Sequence, residues 1–305
     1  MNDQVVVIGD ALIDELRDHH GVREFVGGAA LNVAVGLSRL GVPTTLIAML
    51  GDDEAAEHIR SYLTDYGVHL IATPSALGTS RAVSTRSASG EPVYEFNAAA
   101  QARALVFGDD VRHTIADAAI VAVSCYPFDN TEQTALLAAS LEGTAAILAI
   151  DPNPRSGMMA DRGAFVRGFE SLAARATLVK VGEDDSLLLY DEPLDALRAR
   201  LVDLGVDAVL ATQGASGATI EAGDIVVTRP VSDLPGRIVD TMGAGDAAFA
   251  AAVASLRDGA PTDEDAWGAV LERAMDVAAA TCRFEGALLR LPESLADLDL
   301  DRIGT

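Results

Sequence analysis

Residues 4–41 read QVVVIGDALIDELRDHHGVREFVGGAALNVAVGLSRLG, and their order sets the plan of the chain. QVVVIGDA at 4–11 is a β-branched run that stops at Gly and Asp, the pattern of a buried strand. The run at 30–41 places Leu31, Val35, Leu37 and Leu40 on one helical stripe and stops at Gly41. Between them, residues 14–28 are too short for a crossover helix. A strand that passes to a helix through a small extra element is therefore the first unit.

The same alternation continues outward. Strand-like runs lie at 44–51, 119–125, 145–153, 176–182 and 208–214. Helical stretches separate them, such as DEAAEHIRSYLTDYG ending at Gly67, NTEQTALLAASLEG and PLDALRARLVDLG. Alternating strands and helices predict an α/β fold with a mostly parallel sheet and helices on both faces. Ligands of such sheets bind beyond the carboxyl ends of the strands. Residues 79–97 alternate polar and apolar around a Ser-Gly-Glu-Pro turn, a hairpin signature. Together with 14–27 they are expected to form a small β-flap beside the main sheet; two ordinary surface loops are the alternative. There is no repeat, low-complexity tract or linker, so 1–305 is expected to be one domain.

Composition narrows the function. The chain is 50% hydrophobic and carries a formal charge of −24, which excludes a nucleic-acid binder for lack of a basic footprint. An anionic ligand would need donors placed locally against that field. Cys125 and Cys282 make no disulfide framework. No basic leader precedes the first strand and no apolar run spans a bilayer, so a cytoplasmic protein with no membrane partner is expected. Lys180 is the sole lysine among many arginines.

The chemistry concentrates in DTMGAGDAAFAAAV at 240–253. Gly243, Ala244 and Gly245 have almost no side chain, and the run after them is helical. The turn thus sits at a helix N-terminus, where free N–H groups favour an anion. Asp246 falls in the first helical turn. Aspartate there is a good cap, but a cap alone does not require the small residues before it. An amide cradle beside a carboxylate suits phosphoryl transfer: the amides steady charge on the moving group, and the carboxylate takes the proton of an attacking hydroxyl.

This stretch resembles the C-terminal signature of the ribokinase-like, or PfkB, carbohydrate kinases. VGGAALNVAVGLSRLG at 26–41 resembles their N-terminal signature. The likeness runs from about residue 4 to 292 and is nearest in pattern to fructokinase-like members. It implies a three-layer αβα core with a parallel sheet, plus a small β-lid over the sugar. Asp246 would be the catalytic base, and Gly243, Ala244 and Gly245 the anion hole. Asp240 would order that loop and help hold a monovalent cation such as potassium; a loop hydrogen-bond acceptor is the plainer role. Asp14, Gly28, Asn32 and Arg155 would contact the sugar. Asp151, Asn153 and Arg155 resemble an Asp-Pro-Asn-x-Arg motif. Lys180, Gly182 and Asp185 match a nucleotide-side strand, with Asp185 acting on Mg²⁺ through water. Thr212, Gly214 and Gly217 match a nucleotide loop, and Gly245 also lies on the ATP side.

Departures bear on substrate. Gly182 replaces the usual Asn or Ser, Asp185 the usual Glu, and Ala55-Ala56 stand where Phe-Gly is customary. YEFNAAAQA at 94–102 has Asn97 and lacks the arginine of many hexose kinases, which leaves Tyr94 or Phe96 to cover the sugar. That favours a ribokinase-like preference, whereas GDALID and DPNPR favour fructokinase. The resemblance therefore implies an ATP- and Mg²⁺-dependent sugar kinase, with fructose ahead of ribose, a keto-deoxy sugar acid and a nucleoside. A non-catalytic sugar or nucleotide sensor is the rival class. Relatives of this kind often pair as homodimers through the lid.

Overall fold

A computed structural model describes residues 3–18, 21–86 and 92–297. Its strands are β1 (Val5–Gly9), β2 (Leu12–Asp18), β3 (Gly21–Gly27), β4 (Thr44–Leu50), β5 (His69–Pro74), β6 (Ser80–Arg86) and β7 (Pro92–Phe96). They continue as β8 (Ile120–Ser124), β9 (Ile147–Asp151), β10 (Leu178–Gly182), β11 (Ala208–Thr212), β12 (Ala218–Ala222) and β13 (Ile225–Arg229). Nine of them form one sheet in the order β13-β12-β11-β10-β9-β8-β1-β4-β5. From β5 to β11 every pairing is parallel, and β12 and β13 close the edge as an antiparallel hairpin.

β1 shows why the sheet is covered on both faces. All five of its residues are buried. Val5 and Val7 enter one apolar core, and Val6 and Ile8 the other, as the two-residue period of a strand requires. The first core packs helices Ala29–Arg39, Glu54–Asp65, Ala244–Ser255 and Glu264–Thr281 on the sheet. The second packs Asp109–Ala116, Thr131–Ser140, Arg162–Ala173, Glu183–Tyr190 and Leu194–Leu204. Helix Ala244–Ser255 is buried from Asp246 through Val253. Its alanines make it apolar all round, as a helix enclosed by neighbours must be.

The segments expected to build a flap do pair with each other. β3-β2-β6-β7 form a second, four-stranded sheet, with β2 antiparallel to β3, parallel to β6, and β6 antiparallel to β7. The turn between β6 and β7, where Ser-Gly-Glu-Pro falls, lies mostly outside the described residues, as does the Tyr94 side chain. The anticipated αβα layering is present. The strand β5 was not anticipated from sequence; its residues are mostly half-exposed, so it lacks the apolar run that marks the inner strands. Among the described residues no helix is long and apolar enough to cross a membrane.

Candidate active site

The parallel strands end on one side of the main sheet, and the acidic residues flagged by sequence gather there. A cavity of about 330 Å³ is lined by Asp10, Gly28, Asn32, Arg155 and Asp246 from the core side. Leu12, Asp14, Ala82 and Phe96 of the smaller sheet line it from above, and Met242 and Gly243 close one end. The Phe96 ring rests on Gly157, whose Cβ, if present, would lie 2.6 Å from it. A ring from β7 thus touches the segment that follows the Asp-Pro-Asn-Pro-Arg motif.

Asp246 is held from two directions. Asn32 Nδ2 donates to its Oδ2 at 2.9 Å, and Asn153 Nδ2 donates to Oδ1 at 3.3 Å. Asn153 adopts φ of 38°, a left-handed conformation that costs a non-glycine residue energy and is typical of functional sites. Burial pushes the Asp246 carboxyl above the usual range, while the Asn32 hydrogen bond and the charges of Lys180 and Arg155 pull it back. Asp14 rises to about 6, through burial and the neighbouring Asp10 carboxylate, with Arg155 opposing. Its Oδ2 sits where a Cβ on Gly27 would be, at 2.2 Å, so only glycine admits this rotamer.

The turn before Asp246 opens a helix, and one of its amides already has a partner: Ala244 N donates to Thr241 O at 3.3 Å. Gly243 has φ of 73° and caps helix Ala244–Ser255. A Cβ there would lie 2.6 Å from Ala287 Cα, so one face of Gly243 is committed to packing while another meets the pocket. Gly245 faces Lys180, whose Nζ would be 3.1 Å from a Cβ at that position. Asp240 Oδ1 accepts from Met242 N and Oδ2 from Gly286 N, both at 3.0 Å. Asp240 therefore ties the 240–243 loop to the turn at 286–287.

Lys180 is buried, and its Nζ lies 3.2 Å from Asp151 Oδ2 on the adjacent strand. Burial disfavours its charge, but Asp151, Asp185 and Asp246 outweigh that and raise its pKa. The lone lysine is thus a fixed cation beneath the glycine turn. Asp185 Oδ2 accepts from Gly182 N at 2.7 Å and closes the N-terminus of helix Glu183–Tyr190. Gly182 pairs in register with Thr212 across β10 and β11, which brings these two positions together. Gly214 has φ of 52° and open space around it. Gly217 differs: its Cβ would meet Arg229 O at 2.1 Å, so that glycine serves chain packing. Among the described residues no group of three or more His, Cys, Asp or Glu stands ready to hold a metal ion.

Two side chains escaped the sequence reading as site residues. Asp10, 4% exposed, follows β1 directly and lines the pocket. An acid ending an otherwise apolar strand on the ligand side was the available signal. Arg103 is buried below the pocket and donates to Ala100 O and Cys125 O. It stands one residue past the arginine-free stretch 94–102, and it points into the core.

The family pattern described as pfkB family carbohydrate kinase matches residues 2–293. A fructokinase of Rhizobium leguminosarum bv. trifolii is 29% identical over 262 residues, 83% of this chain and 79% of that protein. An ATP-dependent 6-phosphofructokinase of Thermoanaerobacterium thermosaccharolyticum is 25% identical, covering 95% of this chain and 91% of that one. Aminoimidazole riboside kinase from Salmonella enterica, solved with aminoimidazole riboside and an ATP analog, superposes with a TM-score of 0.76 at 24% identity. That match covers 96% of this chain and 98% of that chain. With both signatures meeting at one pocket and the family pattern spanning nearly all residues, the chain belongs to the pfkB family of carbohydrate kinases.

Proposed function

We propose that this kinase transfers the terminal phosphoryl group of ATP to a primary hydroxyl of a small sugar, with fructose the first candidate. Asp246 accepts the hydroxyl proton as the alkoxide oxygen forms its bond to the γ-phosphorus. The bond from that phosphorus to the bridging oxygen breaks, and ADP leaves with the electron pair. The amides of Gly243, Ala244 and Gly245 steady the charge on the migrating group. Asp14 and Asn32 hold other sugar hydroxyls. Lys180, Gly182, Thr212 and Gly214 border the nucleotide, and Arg155 adds a cation between the two. The smaller sheet acts as a lid that excludes water from the transfer.

The observation that carries this reading is Asp246 itself. It is a buried carboxylate steadied by two asparagine amides, in the first turn of a helix, on the wall of a cavity large enough for a small sugar. Mg²⁺ on the nucleotide phosphates would neutralise charge there. Such a metal would be held mainly by phosphates and water, with Asp185 reaching it through water. Asp240 already accepts two backbone hydrogen bonds, so a monovalent cation beside it would draw largely on backbone carbonyls.

Substitution Asp246→Asn tests the assignment. The kcat should fall by about 10²- to 10⁴-fold, while calorimetric affinity for a non-hydrolysable ATP analogue stays within about twofold of wild type. Retained turnover would overturn the role of Asp246. A second reading, a ribose or riboside acceptor, is favoured by Phe96 on the pocket wall and by the lack of an arginine in 94–102. An ATP-consumption screen over fructose, ribose and nucleosides ranks the two, and also separates a kinase from a sensor.

A further inference from the structure

We propose that Asp10 is a second carboxylate of the acceptor site, positioned from behind by Arg103. Together with Asp14 it restricts the acceptor to uncharged polyols and turns away sugars bearing a phosphate or a carboxylate. This rests on the sugar-kinase reading above and specifies the class of sugar.

Asp10 has little freedom. Its Oδ1 accepts from Ala30 N at 2.9 Å, and its own carbonyl lies 2.9 Å from where a Gly28 Cβ would sit. One side of the residue lines the sugar pocket. The other side lines a separate cavity of about 10 Å³ shared with Arg103 and Ser80, room for about one water. Arg103 lines this rear cavity and is absent from the described wall of the sugar pocket. Its donors to Ala100 O, Cys125 O and Cys125 Sγ lock the guanidinium in place. Burial pushes the Asp10 carboxyl above the usual range, and Arg103 is the foremost group opposing that, followed by the Ala30 N–H and Arg155.

The consequence is a pocket wall with three carboxylates, Asp10, Asp14 and Asp246, against Arg155 as the one cation among its described residues. Ionised carboxylates only accept hydrogen bonds, and the hydroxyls of a polyol donate them. A phosphate or carboxylate on the acceptor would bring negative charge against these carboxylates and find few donors among them, in a partly desolvated site where like-charge repulsion is weakly screened.

Kinetics and calorimetry on the full chain test this, with fructose and fructose 6-phosphate as acceptors. Wild type should use fructose with a kcat/KM at least about 100-fold above that for fructose 6-phosphate. Asp10→Asn keeps the acceptor for Ala30 N and removes the charge. It should raise the fructose KM and Kd about 10-fold, leave the ATP KM unchanged, and shrink the discrimination about 10-fold. Arg103→Met should shift the fructose KM the same way with a smaller change in kcat, and Arg103→Lys should restore most of it. An unchanged fructose KM and Kd in Asp10→Asn would overturn the proposal and leave the kinase reading standing. Equal or better use of fructose 6-phosphate by wild type would also overturn it, and that measurement holds even if a variant fails to fold. Fructose binding without turnover, weakened in Asp10→Asn, would support the carboxylate role while the kinase reading falls. Failure of wild type to bind fructose, ribose or any other neutral sugar would overturn both.

Discussion

Asp14 is held at about 6 mainly by burial and the nearby Asp10, so its charge is present above that pH and lost below it. If ionised Asp14 receives sugar hydroxyls, kcat/KM for the sugar falls progressively as pH drops below about 6, and a pH–rate profile reads this directly. The effect on stability has the opposite sense. The folded-state pKa exceeds the ordinary 3.8, so protonated Asp14 favours folding below about pH 4, and that benefit disappears as pH rises through about 6. The difference corresponds to about 3 kcal/mol at neutral pH. Asp14→Asn should therefore raise the melting temperature at pH 8 by several degrees while abolishing sugar binding, a trade of stability for function. Gly243→Ala works in one direction only. A side chain at φ of 73° and 2.6 Å from Ala287 Cα costs about 2–4 kcal/mol, and urea denaturation should show it. Asp246 and the glycine turn stand out in sequence because small residues before an acid at a helix start are unusual chemistry, whereas Asp14, between Ile13 and Glu15 in an acidic chain, stands out only through the family resemblance. Asp10 and Arg103 were less legible, since their meeting at Cys125 depends on segments brought together only by the fold.

Neighbouring strands carry the buried ion pair. Lys180 on β10 and Asp151 at the end of β9 lie side by side with almost no solvent contact. Breaking such a pair strands a charge in the interior and costs about 3–5 kcal/mol, whereas replacing both partners by apolar residues is often neutral. Lys180→Met alone should thus destabilise the fold strongly, and Lys180→Met combined with Asp151→Leu should recover most of the loss in chemical denaturation without recovering turnover. The inner strands were readable because burial on two faces demands continuous apolar runs. β5 was missed because a half-exposed edge relaxes that demand. The hairpins of the smaller sheet were readable from period-two alternation, but their alignment with each other was not: the parallel pairing of β2 with β6 joins segments about sixty residues apart.

At the level of the whole molecule, a formal charge of −24 opposes compaction. Salt screens that repulsion, so the melting temperature should climb by several degrees between about 20 mM and 500 mM NaCl, a trend differential scanning fluorimetry can follow. The folded chain offsets the same repulsion locally at the pocket, with Arg155, Lys180 and main-chain amides set against its carboxylates. The solitary lysine has a further consequence. A lysine-specific endoprotease has one target in the entire chain, the 180–181 bond, and that bond runs through a central strand paired on both sides. Such a protease cannot nibble at loops or frayed ends; each cut records an event that opened the middle of the sheet. The native protein thus carries its own reporter of global unfolding, and anything that tightens the fold will register as slower cleavage there.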